Sequence, residues 1–151
     1  MTKEPRHALA LLDVNVLVAL AMPNHEGHSV AHEWFRANSH IGWATTPVTE
    51  SGFIRVVSNR RAIATATTPS IALDMLELMT ARPGHGFWAD DLEHVLHEDL
   101  PRARVTGDRQ VTDAHLLSLA LSRAGRLVTF DRGIRALAPE KPEAVEVLTV
   151  E

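Results

Sequence analysis

Apolar residues along this chain fall into short unbroken runs, separated by segments in which they recur every three or four positions. The first run, "LALLDVNVLVALA" from Leu9 to Ala21, reads as a core strand, about His7 to Leu12, that runs into a short helix. In "PNHEGHSVAHEWFRANSH" helical spacing returns at Val30, Ala31, Trp34 and Phe35. "IGWATTP" is a short strand whose Thr46 and Pro47 start a helix, the threonine as capping hydroxyl and the proline in the first turn. The helix "PVTESGFIRVVS" follows, then a loop, "NRRAIATATTPS", whose "TTPS" restarts a helix through Met79. "ARPGHG" breaks that helix, "FWAD" reads as a third strand, and Asp90 to Asp99 fits either a helix or a loop. "TGDRQVTDAHLLSLALSRAGR" is a loop and then a long helix with Gly125 as its C-cap. "LVTF" is a fourth strand ending at "DRG", followed by a short helix and a last strand in "AVEVLTV". Strands that alternate with helices and are apolar throughout predict an α/β domain. The expected architecture is a three-layer sandwich: a mainly parallel sheet of four to five strands with helices on both faces.

At 151 residues the chain has room for one domain and one core. A hydrophobic content of 45% and a charged content of 23% are ordinary for a globular protein. With no cysteine, disulfides and thiolate metal sites are excluded, which fits a reducing compartment and a cytoplasmic location. Lys3, Arg6 and His7 before the opening run give it a loose likeness to a secretory signal. Asp13 and Asn15 in its middle argue against that, and the run is too short and too interrupted to span a bilayer.

A carboxylate inside such an apolar stretch costs several kcal/mol unless it is paired or binds a metal. Asp13 closes the first predicted strand and Asp131 closes the fourth. Glu50 lies just past the second strand, and Asp113 is in the first turn of the long helix. All four can reach the rim beyond the carboxyl ends of the strands, where open α/β sheets bind ligands. Facing one another, they would repel and raise each other's pKa values, and a hard divalent cation removes that penalty. All-oxygen ligation selects Mg²⁺ or Mn²⁺ over zinc or copper. Each residue also has a plainer reading. Asp13, Asn15 and Asp131 suit turns or caps, Glu50 suits a helix dipole, and Asp113 could cap its helix with Thr112.

At these places the sequence resembles the PIN-domain ribonucleases, and among them the VapC toxins of bacterial toxin–antitoxin pairs. "LLDVNVLVAL" is similar to the family's opening Asp motif and "ATTPVTESGFIRVVSN" to the segment carrying its Glu. "VTGDRQVTDAHLLSLA" resembles the third acidic motif and "LVTFDRG" the last, so the likeness spans almost the whole chain as a single PIN-like domain. The resemblance implies a metal-dependent endoribonuclease, homodimeric and silenced by a cognate antitoxin protein. By it, Asp13, Glu50, Asp113 and Asp131 would hold one or two Mg²⁺ or Mn²⁺ ions, with Asn15 and Thr129 orienting carboxylates or water. Metal-activated water would cleave a structured RNA such as tRNA or rRNA at an exposed loop, leaving a 5′-phosphate and a 3′-hydroxyl.

A net charge of −4 is unusual for an RNA enzyme, but setting those four acids aside leaves 15 acids against 15 bases, 13 of them arginine. Arg55, Arg102, Arg104, Arg109 and Arg132 are candidates for RNA contact, each with solvated surface arginine as the alternative. Trp34, Trp43 and Trp88 read as core or interface anchors. "DVNV" is loosely similar to the Asp-x-Asp opening of haloacid-dehalogenase-like phosphatases. Their chemistry needs a lysine against the phosphate, and the only lysines are Lys3 and Lys141, near the two ends. His25, His28 and His32, like His94 and His97, have ligand-like spacing, yet no H-E-x-x-H occurs and solvent-facing histidines are expected instead. The non-enzymatic alternative is a catalytically silent module of the same fold that binds RNA or protein.

Overall fold

The computed structural model describes residues 9–150. Its centre is β1 (Ala10–Leu12), which pairs in parallel with β2 (Trp43–Thr45) on one side and β4 (Arg126–Thr129) on the other. β3 (His85–Phe87) and β5 (Val145–Val147) complete a five-stranded sheet of order β3-β2-β1-β4-β5, parallel throughout. The helices are α1 (Val14–Ala21), α2 (His28–Asn38), α3 (Pro47–Val57), α4 (Pro69–Thr80) and α5 (Gln110–Ser122). Short 3-10 turns cover Arg102–Arg104, Arg132–Leu137 and Pro142–Ala144.

Alternation along the strands divides the core in two, as a sandwich requires. Ala10, Leu12, Trp43 and Val128 face α1 to α4, where Val16, Leu17, Phe53 and Leu76 meet them. Leu11, Ala44, Leu127 and Val145 point the other way, against Leu116, Leu117 and Leu119 of α5 and Ile134 and Leu137 of the 3-10 turn. This is the expected three-layer fold. Trp34, Trp43 and Trp88 are all buried, as anchors should be, and the Trp34 indole N–H donates to Glu146 Oε2 at 2.8 Å.

Several local expectations are corrected. The part of the first strand assigned to His7 and Ala8 lies outside the described residues. The third strand spans 85–87 rather than "FWAD" and stops there for want of a partner. Trp88 N–H still reaches Thr45 O at 2.8 Å, but β2 then gives way to α3 at Pro47, whose nitrogen carries no hydrogen. Asp90 to Asp99 is an irregular strap laid over α5, fixed by His97 N–H to Ser118 Oγ and by His115 between Val95 O and Asp90.

Gly125 is not the left-handed residue that ends α5. Ala124 takes φ 52°, with Ala124 N–H bonded to Leu121 O and Gly125 N–H to Ala120 O, a Schellman closure. Gly125 is needed for space, because a Cβ there would come within 2.6 Å of Leu9 O. At the start of α3, Thr46 N–H donates to Thr49 Oγ1, while the buried Thr46 hydroxyl makes no hydrogen bond. Thr112 and Asp113 sit inside the first turn of α5, whose entry is tied instead by Gln110 Oε1 accepting from Thr106 and Gly107.

Candidate active site

β1 connects through α1 and α2 to β2 on one side, whereas β4 lies on its other side and is reached through α5. The carboxyl ends of β1 and β4 therefore bound the switch point of the sheet, where a crevice forms in folds of this kind. Asp13 follows β1 directly and Asp131 stands two residues beyond β4. The first turn of α5 brings Asp113 to the same place. These three carboxylates line one open cleft of about 320 Å³, together with Val14, Asn15, Val18, His25 and Val56.

Asp13 is both cap and buried acid. Its Oδ1 accepts from Val14 N–H at the head of α1, and its Oδ2 accepts from the Thr129 hydroxyl at 2.8 Å. That hydroxyl, wholly buried, also accepts from Asn15 Nδ2 at 3.3 Å and from Asp131 N–H at 3.0 Å. One threonine thus uses its single donor and both lone pairs to tie Asp13, Asn15 and Asp131 together. Asn15 Oδ1 accepts from Phe130 N–H, and Asp131 Oδ1 accepts from Gly133 N–H. Turn and cap roles are therefore real for Asp13 and Asp131, and they hold these groups at the cleft.

The electrostatics record the crowding. Burial is the main force raising the Asp13 carboxyl above its ordinary range; bonds from Thr129 and Val14 oppose it, and the Asp131 charge adds to it. Asp113 is pushed up to about 6, first by burial and then by the charges of Asp13 and Asp131. Three acids repelling one another in a cleft fit a hard dication, whose attraction for the ionised carboxylates would offset both their burial and their mutual repulsion. Among the described residues, no three His, Asp or Glu side chains converge tightly enough to close a coordination sphere alone. Mg²⁺ retains several waters in most protein sites, so a partial carboxylate set is chemically compatible with it.

Glu50 does not line this cleft. It occupies the first turn of α3 as expected, but its Oε2 accepts from the Thr45 hydroxyl at 2.7 Å, and Thr45 Oγ1 also meets His85 Nε2 at 2.7 Å. Beside it, the His85 pKa is lowered by burial, an effect that the Glu50 charge partly opposes. Thr45 and His85 escape a sequence reading because His85 falls inside the segment taken as a helix breaker. Knowing the true start of β3 would have set it beside β2.

Of the arginines, Arg132 borders a hollow next to the cleft, and Arg109 precedes the helix that carries Asp113. Arg55 is exposed one residue before Val56 of the cleft wall. Arg102 and Arg104 lie on the 3-10 turn that follows the strap, and Arg104 lines a separate hollow with Asp99 and Lys141. The histidines of α2 are not the solvent-facing pair expected. His28 Nδ1 meets Ala19 O at 2.7 Å and His32 Nε2 meets Leu20 O at 3.1 Å, closing the open carbonyl end of α1. His25 lines the cleft itself, and its spacing in the sequence gave no sign of this.

Comparison with known proteins places the chain in a family and a fold. The family model described as PIN domain matches residues 10–139. Ribonuclease VapC39 of Mycobacterium tuberculosis is 50% identical over 125 residues, covering 83% of this chain and 90% of that one. Ribonuclease VapC38 of the same organism is 48% identical over 143 residues, covering 94% and 99%. The crystal structure of PAE2754 from Pyrobaculum aerophilum shares the fold with a TM-score of 0.60 at 20% identity, covering 93% of this chain and 85% of that one. The family model matched over most of the chain and the relatives at 48–50% identity make this chain a member of the PIN-domain family, within its VapC branch.

Proposed function

We propose that this chain, a ribonuclease by its family, is the toxin of a toxin–antitoxin pair and cuts structured RNA such as tRNA or rRNA with the help of Mg²⁺ or Mn²⁺. The observation that carries the reading is the placement of Asp13, Asp113 and Asp131 in one cleft at the switch point of the sheet, two of them with raised pKa values. Such a cation, bound among these carboxylates with water completing its coordination, would activate water and offset phosphate charge. The chain's own residues do the positioning. Thr129 holds Asp13 and the backbone of Asp131, Asn15 braces the turn at Phe130, and α5 delivers Asp113. Glu50 joins the site only if its carboxylate leaves Thr45.

Partners follow from the same reading. RNA is the substrate, a small antitoxin is the inhibitor, and the cytoplasm is where both are met. No helix among the described residues is long and apolar enough to cross a membrane. For a homodimer, α4 offers apolar surface: it buries Ala72 and Leu76 yet leaves Ile71 and Leu78, seven residues apart on one side of the helix, exposed, with Leu78 at 75% exposure.

Brief induction of the protein followed by mapping of new 5′ ends in total RNA tests the nuclease. Wild type should create discrete ends bearing 5′-phosphates, and Asp13→Asn should create none. If Asp13→Asn keeps the full biological effect, the protein acts as a binding module and the enzymatic reading is wrong.

A further inference from the structure

A second hollow lies beside the carboxylate cleft. Asn15 and His25 line the cleft and also a neighbouring hollow of about 380 Å³, whose other walls include Glu26, Phe130, Arg132 and Thr149. That size is within the range of small-ligand pockets.

Its walls are held in place. The rings of His25 and Phe130 stand 6.2 Å apart at 38°, forming an aromatic side. Phe130 lies over Gly27 so closely that a Cβ on that residue would meet the ring at 2.6 Å, so the glycine sets how deep the ring sits. His25 Nδ1 accepts from Gly27 N–H at 2.9 Å, which fixes the imidazole and puts the proton of its neutral form on Nε2. Phe130 is anchored through its own N–H to Asn15 Oδ1. Arg132 is exposed and makes no ion pair among the described residues.

A polynucleotide whose phosphodiester lies among Asp13, Asp113 and Asp131 must direct an adjacent nucleotide along the cleft wall. Proteins read unpaired RNA by stacking splayed bases on aromatic rings and bonding to their edges. This hollow offers an aromatic ring, an imidazole N–H, a carboxylate acceptor in Glu26 and an unengaged guanidinium. We propose that it receives the unpaired base next to the phosphate being cut, stacked on Phe130, with Glu26 accepting from an amino or imino group of the base and Arg132 meeting the following phosphate. The proposal rests on the nuclease reading and adds to it the part of the protein that selects the cut site.

The test is a two-by-two comparison. A short oligoribonucleotide spanning a site cut in total RNA is made intact and with an abasic residue on either side of the scissile bond. Wild type and Phe130→Leu, which keeps apolar volume against the core, are assayed on each with Mn²⁺, and the folding of both proteins is checked by thermal melts. Wild type should lose roughly 5- to 150-fold in kcat/KM on one abasic RNA, as expected for one lost stack. Phe130→Leu should show a similar loss on the intact RNA and almost no further loss on that abasic one, and Phe130→Trp should restore the difference. A leucine that merely disturbed Asp131 would slow all the RNAs by one factor and leave the abasic penalty in place, which overturns the subsite while leaving the nuclease standing. Equal cutting of intact and abasic RNA by wild type does the same. If wild type cuts no RNA at all, the nuclease reading fails first and the subsite with it.

Discussion

Thr129 shows how much a single buried hydroxyl can organise. It donates to Asp13 and accepts from Asn15 and Asp131 N–H, so replacing it by valine removes three bonds with almost no change in volume. Groups that orient metal ligands contribute about 10- to 100-fold in activity or metal affinity. Thr129→Val should therefore cut RNA about that much more slowly while still folding, as measured by initial rates and far-UV circular dichroism. Asp113 carries the other residue-scale consequence. Its carboxyl is raised from 3.8 to about 6, so the folded protein holds that proton more tightly than the unfolded chain does. Its contribution to folding is complete below about pH 4 and is lost as pH rises through about 6. In chelator at neutral pH, Asp113→Asn should be more stable than wild type by about 1–2 kcal/mol, after allowance for solvent screening of a half-exposed group. Urea melts across this range should show the gap closing toward pH 4.

Among the elements, α5 shows the difference between a signal and its execution. Its apolar run and its approximate end are plain in "AHLLSLALSRAG", yet the left-handed position falls on Ala124 at φ 52°. Gly125 one residue later is occupied by a different demand, the close approach of Leu9 O. Ala124→Gly should stabilise the protein by about 0.5–1 kcal/mol, because glycine adopts this conformation without the Cβ penalty and closes the same Schellman bonds. A shift in the chemical-denaturation midpoint without a change in slope would measure it. β3 illustrates the same point for strands. "FWAD" has the more strand-like composition, but pairing with β2 is set by where β2 stops, at Thr46 and Pro47.

For the molecule as a whole, the site is a conflict among like charges that the fold sustains. Anything that binds only the native state adds RT ln(1 + [L]/Kd) to stability, about 2.7 kcal/mol at a hundred times Kd. At about 2–4 °C per kcal/mol for a domain of this size, Mn²⁺ should raise the wild-type melting temperature by about 5–10 °C. Asp113→Asn should gain clearly less, so that the two proteins exchange rank between chelator and metal. Calorimetric scans in both conditions check this, and equal shifts would remove Asp113 from the ligand set.

The pattern of apolar runs and helical spacings was enough to read an α/β sandwich, because burial on both faces of a parallel sheet leaves a compositional mark on every strand. Asp13, Asp113 and Asp131 were legible too, since a charge at the end of an apolar strand, or in the first turn of a helix, is a local feature of the chain. What the sequence could not contain was the pairing across distance. The bonds from Thr129 to Asp13 and between Thr45 and His85 join segments far apart in the chain, and the bond of Glu50 to Thr45, the closing of α1 by His28 and His32 and the place of His25 on the cleft depend on how neighbouring elements fold back on one another. Side-chain hydrogen bonds depend on ångström-scale distances, and only the packing of helices on a twisted sheet decides those.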